Sequence, residues 1–354
     1  MTLSEFSLQI RVMAKLLGLL ILGILFFYLL IILVLMITAK PVQEDLHLNP
    51  VYGSIKAPVF EEGINSGKYE YVLDTINGQY PETTASAAVY FIPEPKSTLA
   101  YLAKIDSLAK SFDFDTEIYQ SQRLNDQWVK YEDNYRILEI NIVNLHFKYY
   151  YKTGSQLQAL VEATPEARFT LLENEFVEKG RQGMLTRDAY PRYLATGTNN
   201  PVYQTYDLMT NKFIPYEEGS FPQAVRIDFF REDEVLNILT PEYFSSQNYV
   251  ILAPLNYYAE IVQMQYLSFE KLSEEPGVYP LLTSEEAFAK LKQGKATTIS
   301  ISKNHSNKIK IKKIDVGYYD PQSYQPYFQP VFVFLGSDDF VAYLPAIKDE
   351  YLLK

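Results

Sequence analysis

The string Arg226-Ile-Asp-Phe-Phe-Arg231 sets two guanidinium groups and a carboxylate within one short segment. On a strand, side chains alternate between faces, so Arg226 and Asp228 share one side and can meet charged neighbours across it. Two readings follow. One is a structural ion pair. The other is an arginine whose planar fork takes the carboxylate of a partner. Arg226, Asp228 and Arg231 are therefore candidate partner-binding residues. Tyrosine is the second chemical feature, with 30 residues against a single tryptophan. Clusters occur at Tyr149–Tyr151, Tyr257-Tyr258 and Tyr318-Tyr319, with Tyr324 and Tyr327 close by. Sheet propensity accounts for such clusters. An aromatic platform for a glycan or an extended peptide is the functional alternative, with Tyr318 and Tyr319 as its candidate residues.

Catalytic signatures are lacking. The three histidines, His47, His146 and His305, show no metal-ligand spacing and read as ordinary polar residues. The chain has no cysteine, hence no disulfide framework and no thiolate metal site. No nucleophile elbow, phosphate loop or dinucleotide fingerprint occurs. Glu285-Glu286 is explained by a helix cap, and Asp338-Asp339 by a turn, with a weak calcium site as the rival reading of the aspartates. The expectation is a non-enzymatic protein without cofactor or metal. A hydrolase built on two unmotifed carboxylates is the remaining enzymatic alternative.

The elements that hold these residues read as follows. Strands are expected at Tyr69–Leu73 and Ala87–Ile92, with a turn at Asn77-Gly78. Ser97 is placed to cap a helix carrying Leu102, Ile105, Leu108 and Phe112 on one face. Trp128–Tyr131 is a strand, and Arg136–Ile142 with Leu145–Tyr151 a hairpin. A second helix is expected from Thr164 as cap and Pro165, through Phe169, Leu172 and Phe176, to Gly180. Strands follow at Val202–Leu208, Ala224–Phe230, Tyr249–Ala253 and Tyr258–Tyr266. Thr283-Ser-Glu-Glu286 is a capping box, and Gly294 stops that helix. Thr297–Ser302 and Lys308–Tyr319 are strands, the latter broken in its alternation at Lys312-Lys313, which predicts a bulge. Pro330–Leu335 is apolar on both faces, as a central strand is, and Phe340–Leu344 returns after the turn at Gly336–Asp339. The fold class is α+β: antiparallel sheets, each packed with a helix, in two or three subdomains.

Leu16–Thr38 contains no charged residue. Its 23 residues reach about 34 Å as a helix, enough to cross a hydrocarbon core. Arg11 and Lys15 flank its start, which sets the N-terminus inside and the remaining body outside. The run is longer than the apolar core of a signal peptide, and Ile37 stands where cleavage after Ala39 would want a small residue, so a retained anchor is expected. The expected division is a cytoplasmic 1–15, a membrane helix 16–38 lodged in the lipid bilayer, and a Pro- and Gly-punctuated linker 39–67. A first α+β domain 68–153 and a second α+β region 154–354 follow, the latter ending in a subdomain at about 275–354. Net charge is −11, and the first 39 residues hold only Glu5, Arg11 and Lys15 as charged groups, so the acidic surplus lies in the body. That balance excludes nucleic acid as a natural partner.

Three strings carry a resemblance: Tyr279–Phe288, Val316-Gly-Tyr-Tyr319, and Gln329–Phe334 with Phe340–Ala346. Together they resemble the C-terminal domain of YycH/YycI-type proteins, extracytoplasmic regulators anchored by one N-terminal helix that restrain a cell-wall-sensing histidine kinase. With Val225–Arg231 and Arg136–Asn141 added, the pattern is similar to single-span membrane proteins of candidate-phyla bacteria, for which the resemblance implies no function. The regulator resemblance covers about the last quarter of the chain and carries over no catalytic residue. It implies a membrane-protein partner such as a sensor kinase. A structural or adhesive envelope protein that binds wall polymer through tyrosine-rich sheets is the alternative.

Overall fold

The computed structural model describes residues 16–17, 20–30, 47–61, 69–96, 99–152, 173–187, 194, 197, 199–216, 222–233, 235–255, 258–272 and 274–353. Contacts divide the chain into Met1–Asp45 and Leu46–Lys354. In the first unit, residues 20–30 are helical and their side chains are exposed. Among the described residues no helix is long and apolar enough to cross a membrane. The expected span 16–38 is described only in part, since residues 18–19 and 31–38 lie outside the described residues.

The strands of the second unit are, in chain order, β1 (Glu70–Leu73), β2 (Ser86–Phe91), β3 (Gln122–Arg123), β4 (Trp128–Glu132), β5 (Arg136–Asn141), β6 (Phe147–Tyr151), β7 (Asn199–Asp207), β8 (Lys212–Pro215) and β9 (Ala224–Phe229). They continue as β10 (Asn237–Leu239), β11 (Tyr249–Leu255), β12 (Tyr258–Tyr266), β13 (Gly277–Pro280), β14 (Thr297–Ser300), β15 (Lys308–Tyr319), β16 (Tyr327–Phe328), β17 (Pro330–Gly336) and β18 (Val341–Pro345). The helices are α1 (Tyr101–Ser111), α2 (Glu173–Leu185) and α3 (Ser284–Lys292). The architecture is thus mixed α+β.

A nine-stranded antiparallel sheet runs β3-β4-β5-β6-β12-β11-β9-β7-β8. A six-stranded sheet runs β1-β15-β17-β18-β14, with β10 also on β15, and a three-stranded one runs β13-β2-β16. β1 and β10 lie parallel to β15, while β17 lies antiparallel to it. This topology corrects the expected domain boundary at 153/154. The strands of 68–153 are shared among all three sheets, and β6 pairs with β12 from Phe147↔Tyr266 to Tyr150↔Gln263. Likewise 275–354 is no separate subdomain, because β1 and β10 complete its main sheet. Alternation identifies a strand but not the distant edge that satisfies its backbone groups.

Part of the expected linker also belongs to this unit. Asn49 bridges Val278, Ile55 bridges Leu352 and is buried, and Gln329 Nε2 donates to the Lys56 carbonyl at 3.0 Å. Among the breakers there, Gly53 follows a turn and takes φ +64°.

Local signals explain the helix ends well where capping is involved. The Thr283 hydroxyl accepts the Glu286 N–H, the Glu286 carboxylate accepts the Thr283 N–H, and Gly294 ends the turn at φ +73°. α1 starts with Ala100 as cap and no side-chain hydrogen bond, and Ser97 lies outside the described residues. The expected start of α2 at Thr164 also lies outside them. Its expected end at Gly180 is corrected, since the helix continues to Leu185. Gly180 serves a close approach instead: a Cβ there would lie 2.9 Å from Ile227 Cδ1, and one at Gly183 only 2.3 Å from Ile261 Cδ1.

Period-2 patterning sets the layers. Val225, Ile227 and Phe229 of β9 cluster with Leu108 of α1, Phe112 just past it, and Phe176 and Met184 of α2 on one face of the nine-stranded sheet. Ala224, Arg226 and Asp228 fall on the other face, beside Tyr249 and Ile251. In the six-stranded sheet, Ala287, Phe288 and Leu291 of α3 pack with Ile309, Ile311, Phe332 and Phe334. Each such phenylalanine contributes about 2–3 kcal/mol by burial. The bulge in β15 falls between Ile311 and Lys313, as the broken alternation predicts, and β17 is a buried central strand.

Gly317 marks where β10 closes on β15. A Cβ there would stand 2.6 Å from the Asn237 carbonyl oxygen and 2.7 Å from Leu239 Cγ. Backbone cannot swing aside as a side-chain tip can. Gly317→Ala is therefore expected to cost about 2 kcal/mol in urea unfolding. It should also speed amide exchange at Asp320, whose N–H donates to Leu239 O at 2.9 Å.

Candidate functional site

The charged string of β9 folds as alternation requires. Arg226 Nε and Nη2 both donate to Asp228 Oδ1, at 3.0 and 2.9 Å. Nη2 also donates to Ser246 O at 2.8 Å, and the guanidinium lies 3.9 Å from the Tyr249 ring centroid. Asp228 is 1% exposed, and its Oδ1 also accepts the Ser246 N–H at 2.9 Å. Burial raises the Asp228 pKa above the ordinary carboxylate value, opposed by Arg226 and then by the Ser246 amide. Arg226 and Asp228 are thus each other's partner.

Arg231, just past the strand, takes a different one. Its Nη1 donates to Phe269 O at 2.7 Å and lies 3.7 Å from Asp320 Oδ1. Asp320 is 2% exposed, and burial pushes its pKa up to about 6 against the pull of Arg231. Its Oδ1 has no hydrogen-bond partner among the described residues. Beside this pair, Lys271 Nζ meets Asp233 Oδ2 at 2.5 Å and stands 4.0 Å from the Tyr90 ring centroid and 5.1 Å from that of Phe328. Burial would raise the Asp233 pKa, but the hydrogen bonds from Lys271 and the Val235 amide hold it below the usual value.

Tyr318 and Tyr319 lie in the core, which corrects the expectation of an open aromatic platform. They are 1% and 2% exposed. Tyr318 stacks on Phe328 at 5.0 Å, and Tyr319 packs edge-on against Phe60 and Tyr343 at 5.1 and 5.9 Å. Tyr90 and Phe328, from the three-stranded sheet, pack on the Tyr318 side of β15, and Phe60 packs on the Tyr319 side, so neither ring reaches water. Desolvation raises the Tyr318 hydroxyl pKa.

A cleft of about 540 Å³ opens at this seam. Arg231, Asp233, Tyr243, Lys313 and Asp315 line it, over Leu239, Val316 and Val333. Lys313 and Asp315 pair at 2.9 Å. A smaller polar pocket of about 150 Å³ is bordered by Arg226, Glu242, Gln247 and Tyr249. Each charge of these pairs is matched by one of opposite sign. Sequence reasoning missed Asp233, Lys271 and Asp320. Each meets its partner across 38 or more positions of chain, and Asp320, directly after Tyr319, has no periodic signature.

The remaining candidates have structural places. His146 is 3% exposed with Nε2 at 2.8 Å from Ser268 O. His305 Nδ1 lies 2.8 Å from Ser302 O, and its ring meets Tyr69 edge-on. Asp338 and Asp339 hold the turn at φ +58° and +53°. Among the described residues no group of three His, Asp or Glu side chains could hold a metal.

No family model and no curated protein matches the chain. Among solved structures, an uncharacterized protein from Eubacterium rectale ATCC 33656 aligns with a TM-score of 0.36 and 12% identity, over 82% of this chain and 94% of that one. A likeness at this level carries no argument about function.

Proposed function

We propose that this chain is a membrane-anchored, extracytoplasmic, non-enzymatic protein that binds or regulates an envelope partner such as a sensor kinase. The observation that carries this reading is the uncharged 23-residue run Leu16–Thr38 ahead of one compact, acidic unit from Leu46 to Lys354. Residues 16–38 hold the chain in the bilayer with the N-terminus inside. The body works outside, where its charge excess keeps it soluble and away from anionic surfaces. The resemblance of the C-terminal strings to YycH/YycI-type regulators points to a membrane-protein partner rather than a small-molecule substrate. The internal pairs Arg226–Asp228 and Arg231–Asp320 act as bracing, and the seam cleft supplies polar contacts.

Crosslinking of the full-length protein in its native membrane tests this. Recovery of a sensor kinase or another single-span protein, lost when residues 16–38 are exchanged for an unrelated span, is the expected result. Recovery of wall polymer by the purified body would favour the adhesive alternative. Fractionation of the intact chain with soluble cytoplasmic protein would overturn both.

A further inference from the structure

We propose that the outer edge of β1 is a docking groove for an extended peptide strand that alternates acidic and apolar side chains, supplied by the protein's partner. The proposal rests on the partner-binding reading and deepens it by naming the surface and the chemistry that fits it.

β1 ends the six-stranded sheet, and among the described residues no strand pairs with its outer side. Glu70 N–H donates to Asn307 O at 2.9 Å and Asp74 N–H to Ile311 O at 2.8 Å, both toward β15. A parallel strand sends alternate residues to the same neighbour. The N–H and C=O groups of Tyr71 and Leu73 therefore point outward, and an added strand gains up to four main-chain hydrogen bonds.

The adjoining groove, about 480 Å³, is lined by residues 69–73 in succession, with Tyr80, Phe288 and Lys292. Successive strand residues face opposite ways. A groove touching all five must run along the strand edge rather than lie on one face. Its two sides differ. Tyr71 and Leu73 register with Ile309 and Ile311 on the buried side, where Tyr80 packs on Phe288 at 5.8 Å. Apolar side chains of the incoming strand belong there. On the opposite side Glu70 and Val72 register with Lys308 and Lys310. Lys308 has only an exposed contact to Glu70 at 3.6 Å, and Lys310 and Lys312 have no ion pair among the described residues. These lysines stand on β15, one strand in from the edge, but their side chains reach over β1, as the contact of Lys308 with Glu70 shows, and in a chain of net charge −11 that row selects acidic side chains. The competing explanation is that the lysines only guard the edge against aggregation.

The experiment is hydrogen-exchange mass spectrometry on the full chain in detergent. It uses a synthetic peptide alternating glutamate and valine, with one alternating lysine and valine as control. The expected result is slowed exchange in the fragment spanning 69–74 with the glutamate peptide alone. The variant carrying Lys310→Glu and Lys312→Glu should bind on the order of tenfold more weakly at unchanged thermal stability. Equal protection by both peptides, or none at about 1 mM, would overturn the groove. So would protection that grows with protein concentration alone, which would make a second copy the occupant. If the double variant still crosslinks the wild-type partner in membranes at full yield, the groove fails while the partner-binding reading stands. If the glutamate peptide protects 69–74 but no partner is ever captured, the groove stands and that reading falls.

Discussion

Replacing Asp228 with alanine should lower the unfolding free energy by about 3–5 kcal/mol at neutral pH. The carboxylate is almost wholly buried and serves three donors through one oxygen: Arg226 Nε, Arg226 Nη2 and the Ser246 amide. Truncation leaves the Arg226 cation against Tyr249 with Ser246 O as its remaining acceptor, and leaves the Ser246 N–H unsatisfied. Asp228→Asn keeps the shape and an acceptor oxygen, so it should cost less than half as much. The joint replacement Arg226→Met with Asp228→Leu should recover much of the loss, because neither charge then has to be desolvated. Urea unfolding of the four proteins measures this. A loss below about 1 kcal/mol for Asp228→Ala would mean that Arg226 turns into the adjacent pocket and hydrates there. That outcome would return Arg226 to the role of a ligand-binding arginine.

The contrast between what the sequence shows and what it hides follows the range of the interactions. The capping box Thr283–Glu286, the Gly294 stop and the β15 bulge are legible because their causes lie within a few residues. The sharing of a face by Arg226 and Asp228 is legible for the same reason, since strand alternation is local. Gly180 misleads because glycine has two uses, a left-handed cap and a close approach, and only the position of Ile227 and Phe229 beneath it decides between them. Tyr318 and Tyr319 mislead because burial of a strand depends on what packs over its two faces. The covering rings, Tyr90, Phe328 and Phe60, come from segments more than 200 positions away or from a two-residue strand. The domain boundary at 153/154 fails because pairings such as Phe147↔Tyr266 and Tyr71↔Ile309 join segments far apart in the chain.

His146 should make stability fall on acidification between about pH 6.5 and pH 4. Its ring is 3% exposed, packed edge-on against Tyr266 and Phe269 at 5.5 and 4.7 Å. Desolvation lowers its pKa from 6.5 to about 4, with the Ser268 carbonyl opposing. Between those values the unfolded chain binds a proton that the native state refuses, so lowering the pH favours unfolding. The stabilisation is complete above pH 6.5 and lost by about pH 4, on the order of 3 kcal/mol in all. Asp320 works in the opposite sense. Its folded pKa of about 6 exceeds the unfolded 3.8, so between them the native state binds the extra proton and acidification stabilises. The two windows overlap, and the wild-type curve should be flatter than either contribution alone. Variants separate them. His146→Gln should gain on the wild type by about 3 kcal/mol as the pH is taken from 7 to 4, and Asp320→Asn should lose ground over nearly the same range. The ring carbon–proton resonances of His146 give the direct check. A midpoint near 6.5 would mean that the imidazole reaches water, and the predicted acid sensitivity at this position would disappear.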